Sequence, residues 1–425
     1  TLNKIENYIF NILLFSSLFI PALIIIGPFP VDLVISLNSI FILYLILRKK
    51  IINNLKNNYI KLYIIFIFIT LFSSAISQFK LHSFESTLFY FRFFLSSCMI
   101  SIFIYYNSNF IKYTFYLIIF LFSLLIIDSL FQYFTHYNII GLPKFDSNRV
   151  SSFFADELVL GSYVSRIFPF LIALFFYTNM KKEIKPNLYS FFYVVSIMVV
   201  VFISGERAAI LYLGITLLSI FVMFNFKKIF LLSLISFSFI YTLISTIDPS
   251  SFERNFKYTL KQFTISDERI TIFSTQHESI YKSALYMFKD KPLFGVGAKN
   301  FRLLCKDDRY NIKSKYDLSF AGCQTHPHNM YVQVLAETGI FSFLILLYFF
   351  YSISKELVKA FYKKLSYNLN NNDYVLFFLY LGFFINLFPL IPTGSFFNNW
   401  LNSIMYLPLG LFMFMKFKNI VSFNE

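Results

Sequence analysis

The segment Cys323-Gln324-Thr325-His326-Pro327-His328-Asn329-Met330-Tyr331 holds two of the chain's five histidines. Imidazole exchanges its proton near neutral pH, so His326 and His328 are candidates for drawing a proton from a hydroxyl. Pro327 stops any helix that would run into them. His328 therefore falls at, or just before, the first turn of the helix begun by the apolar run after Met330, and capping that helix is the alternative role for it. Glu337 is a carboxylate on the same run. It lies nine residues after His328, two and a half turns at about 3.6 residues per turn, so it faces a different side and is a weak candidate for orienting that ring.

Four arginines, Arg92, Arg149, Arg166 and Arg207, are the second chemical signal. The planar guanidinium suits bidentate phosphate binding, and a cluster of four at one membrane level would suit an embedded phosphate or diphosphate. Each also has an ordinary role. Arg92 can snorkel to the interface. Arg149 can be a solvated loop charge, Arg166 can pair with Asp128, and Arg207 can pair with Glu206. The cysteines offer a third signal. Cys305 and Cys323 can form a disulfide, which an oxidising compartment favours. They can also join His326 and His328 in a zinc site, for which the spacing C-x17-C-x2-H-x-H is unusual. Gly295-Val296-Gly297 is no dinucleotide fingerprint, because no βαβ unit surrounds it.

The elements that must position these residues are membrane helices. The 425 residues are 57% hydrophobic and only 14% charged, and 22% are aromatic. A soluble domain carries about 25% charge, so a soluble, disordered or disulfide-scaffold protein is excluded. Spans of roughly 20 apolar residues are expected at about 8–26, 31–47, 60–77, 87–106, 112–133, 158–178, 188–203, 206–224, 229–246, 331–351, 373–390 and 396–416. The fold class is thus all-α: a polytopic membrane protein of about twelve transmembrane helices.

Lysine and arginine gather at alternate span ends, as at Arg48 to Lys50, Lys181 to Lys185, Lys227 and Lys228, and Lys355 to Lys364. Short basic loops stay on the cytoplasmic side, so both ends of the chain are expected there. The net charge of +15 is then mostly a topology signal, dispersed over many loops rather than gathered for nucleic acid. Three parts follow: helices one to nine over 1–246, a partly helical loop subdomain over 247–330 on the far side, and the last three helices over 331–425. The loop carries 13 Lys/Arg and 9 Asp/Glu. Within it Ile272 to Lys289 reads as an amphipathic helix, with Ile280, Ala284, Leu285 and Phe288 on one face.

At this point the residues resemble a known family. His328-Asn329, nine residues and then Gly339 is similar to the hallmark of the bacterial O-antigen ligase and polymerase superfamily, with Ser342 as a mild departure at its last position. Leu293-Phe294-Gly295-Val296-Gly297 with Asn300-Phe301, Arg149 with Phe153 to Leu158, and Ser204-Gly205-Glu206-Arg207 resemble further family segments, so the likeness covers roughly 140–345. The resemblance implies a membrane glycosyltransferase of the bacterial inner membrane with its site facing the periplasm. His328 would activate an acceptor hydroxyl. Arg207, Arg149 and Arg166 would hold the diphosphate of an undecaprenyl-diphosphate-linked glycan, with His326, Arg92, Asn329 and Glu337 as further candidates. The acceptor would be lipid A-core oligosaccharide in a ligase, or another repeat unit in a polymerase. A transporter of such glycans is the more distant reading. Transfer would invert the sugar carbon and use no metal and no other cofactor. Beyond donor, acceptor and membrane lipid, no nucleic acid partner is expected.

Overall fold

A computed structural model describes residues 2–48, 51–53, 58–146, 148–179, 188–224, 227–247, 275–312, 322–367, 369–416 and 421–423, with single residues at 249 and 253. The described residues are helical nearly throughout. A bent pair, α1 (Lys4–Leu18) and α2 (Ile20–Ile26), breaks by 59° ahead of α3 (Pro28–Leu47). Then come α4 (Asn58–Ala75), α5 (Lys80–Thr87), α6 (Arg92–Tyr106), α7 (Asn109–Thr135) and α8 (Leu160–Thr178). After these follow α9 (Leu188–Ile203), α10 (Arg207–Met223) and α11 (Lys227–Ile247). The loop region supplies α12 (Thr275–Asp290) and the single turn α13 (Phe301–Leu304). The chain closes with α14 (Met330–Ser366), α15 (Asn371–Asn386) and α16 (Asn399–Lys416). Strands β1 (Ile51–Asn53) and β2 (Val421–Phe423) pair antiparallel.

Among the described residues, six helices are long and apolar enough to cross a membrane, or seven with the bent pair taken as one span. Their outward faces suit lipid rather than water. Ile5 is 72% exposed, Phe29 77% and Leu47 81%, and a bundle in water would not leave so many large apolar side chains uncovered. The core is filled by aromatic and β-branched residues of α3, α6, α8, α9 and α15. The closest helix partnerships are α8 with α15 and α6 with α16.

Helix α14 differs from its expected span in two ways. It runs fifteen residues past 351 to Ser366, where Lys359 pairs with Glu356 and Lys363 with Asp373. A helix of 37 residues is about 55 Å long at 1.5 Å per residue, well beyond a bilayer core. It is also broken at Gly339, whose φ of +81° and ψ of −176° belong to a region that is essentially glycine's alone. Helix α12 starts at Thr275, and residues 254–274 lie outside the described set. Its buried face is Ile280, Ala284 and Met287, while Leu285 points outward. The expected stripe is thus rotated, because this face docks on α14 and the 296–305 turn rather than on lipid.

Candidate active site

Helix α14 begins where it does because Asn329 caps it. The Asn329 Oδ1 accepts from the backbone N–H of Tyr331 and Val332 at 2.9 and 3.1 Å, and its amide donates to the Pro389 carbonyl at 2.6 Å. A side-chain acceptor at this position satisfies donors that the first turn leaves open. Asn329 is thus the cap, and His328 stands one residue earlier with φ of +55°. That left-handed conformation costs a non-glycine residue about 1–2 kcal/mol, and the neighbouring loop holds it: the Thr393 N–H donates to the His328 carbonyl at 2.8 Å.

Three imidazoles meet here. The His326 and His328 rings lie 4.1 Å apart between centroids, and His277, from the first turn of α12, meets His328 edge-on at 5.9 Å. Tyr281, one turn further along α12, stands 6.0 Å from His277 and against Asn329. His326 has a fixed tautomer. Its Nε2 is 3.3 Å from the Thr393 carbonyl oxygen, which can only accept, so Nε2 carries the proton. Nδ1 then accepts from the Thr325 hydroxyl at 3.0 Å. Both nitrogens of His326 are engaged, whereas among the described residues the His328 ring makes no hydrogen bond. Burial lowers the proton affinity of all three rings, pushing His277 and His326 down to about 4, with their charged neighbours adding to the effect. At neutral pH the row is uncharged, and His328 is the member with nitrogens open to a substrate.

Arg207 begins α10 and lies within electrostatic reach of His277. The turn before it is tightly fastened. Arg149 donates from Nε to the Ser204 carbonyl at 3.1 Å and from its terminal nitrogen to the Leu158 carbonyl at 2.7 Å. The Glu206 carboxylate accepts from the Gly161 N–H at 2.7 Å and the Ser162 hydroxyl at 2.5 Å, capping α8. Burial raises the Glu206 carboxyl above its usual range, and the Ser162 hydroxyl and the Arg149 charge partly offset this. The hydrogen bonds of Glu206 therefore go to α8, and Arg149 is a strut rather than a solvated loop charge.

Two sequence expectations are corrected. Arg166 does not pair with Asp128. Its guanidinium donates to Asn386 Oδ1 at 2.5 Å and to the Tyr212 hydroxyl at 2.9 Å while lying over the Tyr212 ring, so it braces α8, α10 and α15 inside the bundle. Asp128 instead accepts from the Ile139 N–H at 2.7 Å and from the Ser152 hydroxyl. One turn along α7, Gln132 accepts from the N–H groups of Ser151 and Ser152. Together these two side chains pin the 137–152 loop that carries Arg149. Arg92 does more than snorkel: its Nε donates to Asp32 at 2.8 Å, and a terminal nitrogen reaches Asn399 at 3.0 Å.

The glycine break in α14 receives the Pro292–Gly297 turn. The N–H groups of Val296 and Gly297 donate to the carbonyls of Ala336 and Glu337 at 3.0 and 2.8 Å, and the Ile340 N–H donates to the Pro292 carbonyl at 2.9 Å. A Cβ on Gly339 would sit 2.1 Å from the Leu293 oxygen, and one on Gly295 would sit 2.3 Å from the Glu337 carbonyl carbon. The Glu337 carboxylate fastens the same turn, accepting from the N–H of Lys299 at 2.9 Å, of Phe301 at 3.2 Å and from the Gln333 amide at 2.9 Å. Glu337 thus anchors the turn rather than orienting His328. Cys305 is bonded to Cys323, with Cα atoms 4.9 Å apart, so the chain segment just before His326 is tied to the same unit.

The fold brings together His326, His328 and Asn329, with Arg207 close by through His277, and Arg149 behind Arg207. It directs Arg166 into the bundle. The sequence reading missed His277, whose only signal was its place as one of three histidines in the same loop, and Thr393, which had none. Comparison with known proteins adds one finding. Residues 191–347 match the family described as O-antigen ligase. No curated protein matches the chain. The matched range contains Arg207, the three histidines, the Gly295–Gly297 turn and Gly339. The match over residues 191–347 supports a likeness of that part of the chain to the O-antigen ligase and polymerase superfamily.

Proposed function

We propose that the protein is an inverting membrane glycosyltransferase that moves a glycan from a polyprenyl diphosphate, of the undecaprenyl type, to an acceptor hydroxyl. The observation that carries this is a neutral His328 with open ring nitrogens, set in a row of imidazoles with Arg207 beside it. His328 takes the acceptor's hydroxyl proton. The acceptor oxygen forms its bond to the anomeric carbon from the face opposite the diphosphate. The bond from that carbon to the diphosphate oxygen breaks, and the diphosphate leaves with the electron pair. Arg207 offsets the charge developing on it, which removes the need for a carboxylic acid to protonate the leaving oxygen. Arg149 acts by holding the Arg207 turn, and Arg166 by bracing the wall behind it.

In this reading the chain crosses the inner membrane twelve times with both ends cytoplasmic, and the 247–330 region forms the periplasmic cover of the site. The acceptor is lipid A-core oligosaccharide. A polymerase joining repeat units uses the same chemistry, and surface polysaccharide from a deletion strain separates the two. Loss of all long chains from the core supports ligation, and a core capped by one repeat supports polymerisation. Purified protein with a lipid-linked glycan and a core acceptor should form the coupled product. Movement of the glycan across vesicles without covalent transfer would overturn the reading.

A further inference from the structure

Within electrostatic reach of His326 lies a second group of cations. Lys299 and Arg302 stand three residues apart on the turn that docks into the α14 break, and each lies within electrostatic reach of the other. Arg302 also lies within reach of His326, and Arg92 within reach of Lys299. Both side chains are partly buried, and the Arg302 Nε is shielded from solvent without a hydrogen-bond partner. Among the described residues neither Lys299 nor Arg302 has an ion-pair partner. Among the described residues, three acids stand in the vicinity. Asp32 is paired with Arg92. Glu85 is exposed and faces His82. Glu337 is buried, and its oxygens are filled by the N–H groups of Lys299 and Phe301 and by the Gln333 amide. Two like charges held together without an acceptor are unfavourable unless an anion joins them.

Neighbour by neighbour, Arg207 is linked to His277, His277 to His328, His328 to His326, His326 to Arg302 and Arg302 to Lys299, so a basic group stands beside each imidazole that flanks His328. Resting on the glycosyl-transfer reading, we propose that Lys299 and Arg302 form a second anion subsite, for a phosphate ester or diphosphate carried by the acceptor. The base then lies between two phosphate anchors, one for each partner. The turn that presents the subsite is fixed to α14 by Gly339, Gly295 and Glu337, so its distance from His328 is set by backbone packing.

The test is steady-state transfer by the full-length protein, comparing wild type with Lys299→Gln/Arg302→Gln and with Arg302→Lys. Three acceptors are used: phosphorylated core oligosaccharide, the same core after phosphatase treatment, and a prenyl-diphosphate-linked repeat unit. A retained Cys305–Cys323 bridge by intact mass, and an unchanged melting temperature, show that the variants fold. Charge-assisted contacts of this kind lead us to expect a rise of about tenfold or more in acceptor KM for the double variant, with donor KM unmoved and partial recovery in Arg302→Lys. The acceptor whose KM rises identifies the anion's source, and removing the core phosphates should raise wild-type KM without further effect on the variant. An unchanged acceptor KM with every acceptor, or a rise in donor KM instead, overturns the subsite while leaving the transferase reading intact. If wild type transfers nothing, that reading fails. Inorganic pyrophosphate binding then decides the subsite separately, being weakened in the double variant if it exists and equal to wild type if it does not.

Discussion

Gly339→Ala should uncouple the two halves of the candidate site. The added Cβ would lie 2.1 Å from the Leu293 carbonyl oxygen, 2.4 Å from its carbon and 2.6 Å from the Phe294 nitrogen. All three are backbone atoms, so no side-chain rotation relieves the clash. Alanine is also strained at φ +81° and ψ −176°, a conformation worth about 1–3 kcal/mol. Relief requires the 292–297 turn to leave the α14 break, with loss of three backbone hydrogen bonds worth about 0.5–1.5 kcal/mol each. The combined loss is on the order of 3–6 kcal/mol, enough to undock the turn. Thermal unfolding in detergent and limited proteolysis of the 292–305 region report it, with glycosyl transfer measured alongside. Gly214→Ala is the control, since a Cβ there has nothing within 4 Å and the site is helical; it should be neutral or slightly stabilising. If Gly339→Ala melts with wild type and transfers glycan within twofold, the docked turn does not organise the site and the reasoning fails.

Three further outcomes follow from the same geometry. Arg149→Ala removes two charge-assisted bonds to carbonyls and should lower stability by about 2–4 kcal/mol while raising donor KM through the displaced Arg207 turn; wild-type values for both would show the strut to be idle. As pH falls, kcat/KM should decline with a midpoint below the usual 6.5 of histidine, since burial lowers His328, and a midpoint above 7 would contradict that environment. Stability should be flat above about pH 6.5 and fall toward pH 4. In that window the unfolded chain binds protons at His277 and His326 that the native pocket, holding both at about 4, refuses, so acid favours unfolding. A chemical-denaturation series across that range, with His326→Ala showing a shallower slope, checks the sign.

Much of the frame was legible because a bilayer leaves its solvent written in the chain. Each expected apolar run falls on a helix of the structure, from the α1 and α2 pair to α16. The helix start at the His328 segment was legible because Pro327 marks it through local chemistry, although the cap is Asn329 rather than His328. Partner choice was not legible. Asp128 and Arg166 sit near the same end of neighbouring helices, so simple charge matching joins them. The fold gives Asp128 to the Ser152 loop and Arg166 to Asn386, more than two hundred residues away. The role of Gly339 was equally hidden, because a glycine in an apolar run carries no sign of the loop that will dock on it. His277 needed the docking angle of α12, which the rotation of its buried face away from Leu285 shows periodicity alone misjudges.

The central claim is that His328 is the base for transfer from a diphosphate-linked glycan. Purified wild-type protein and His328→Ala, matched for melting temperature and for the Cys305–Cys323 bridge, are each given a radiolabelled lipid-linked glycan and an excess of acceptor. The account predicts that donor binding is retained and that single-turnover transfer falls by about 10²- to 10⁴-fold, the usual contribution of a positioned base. Transfer by His328→Ala at the wild-type rate would contradict it.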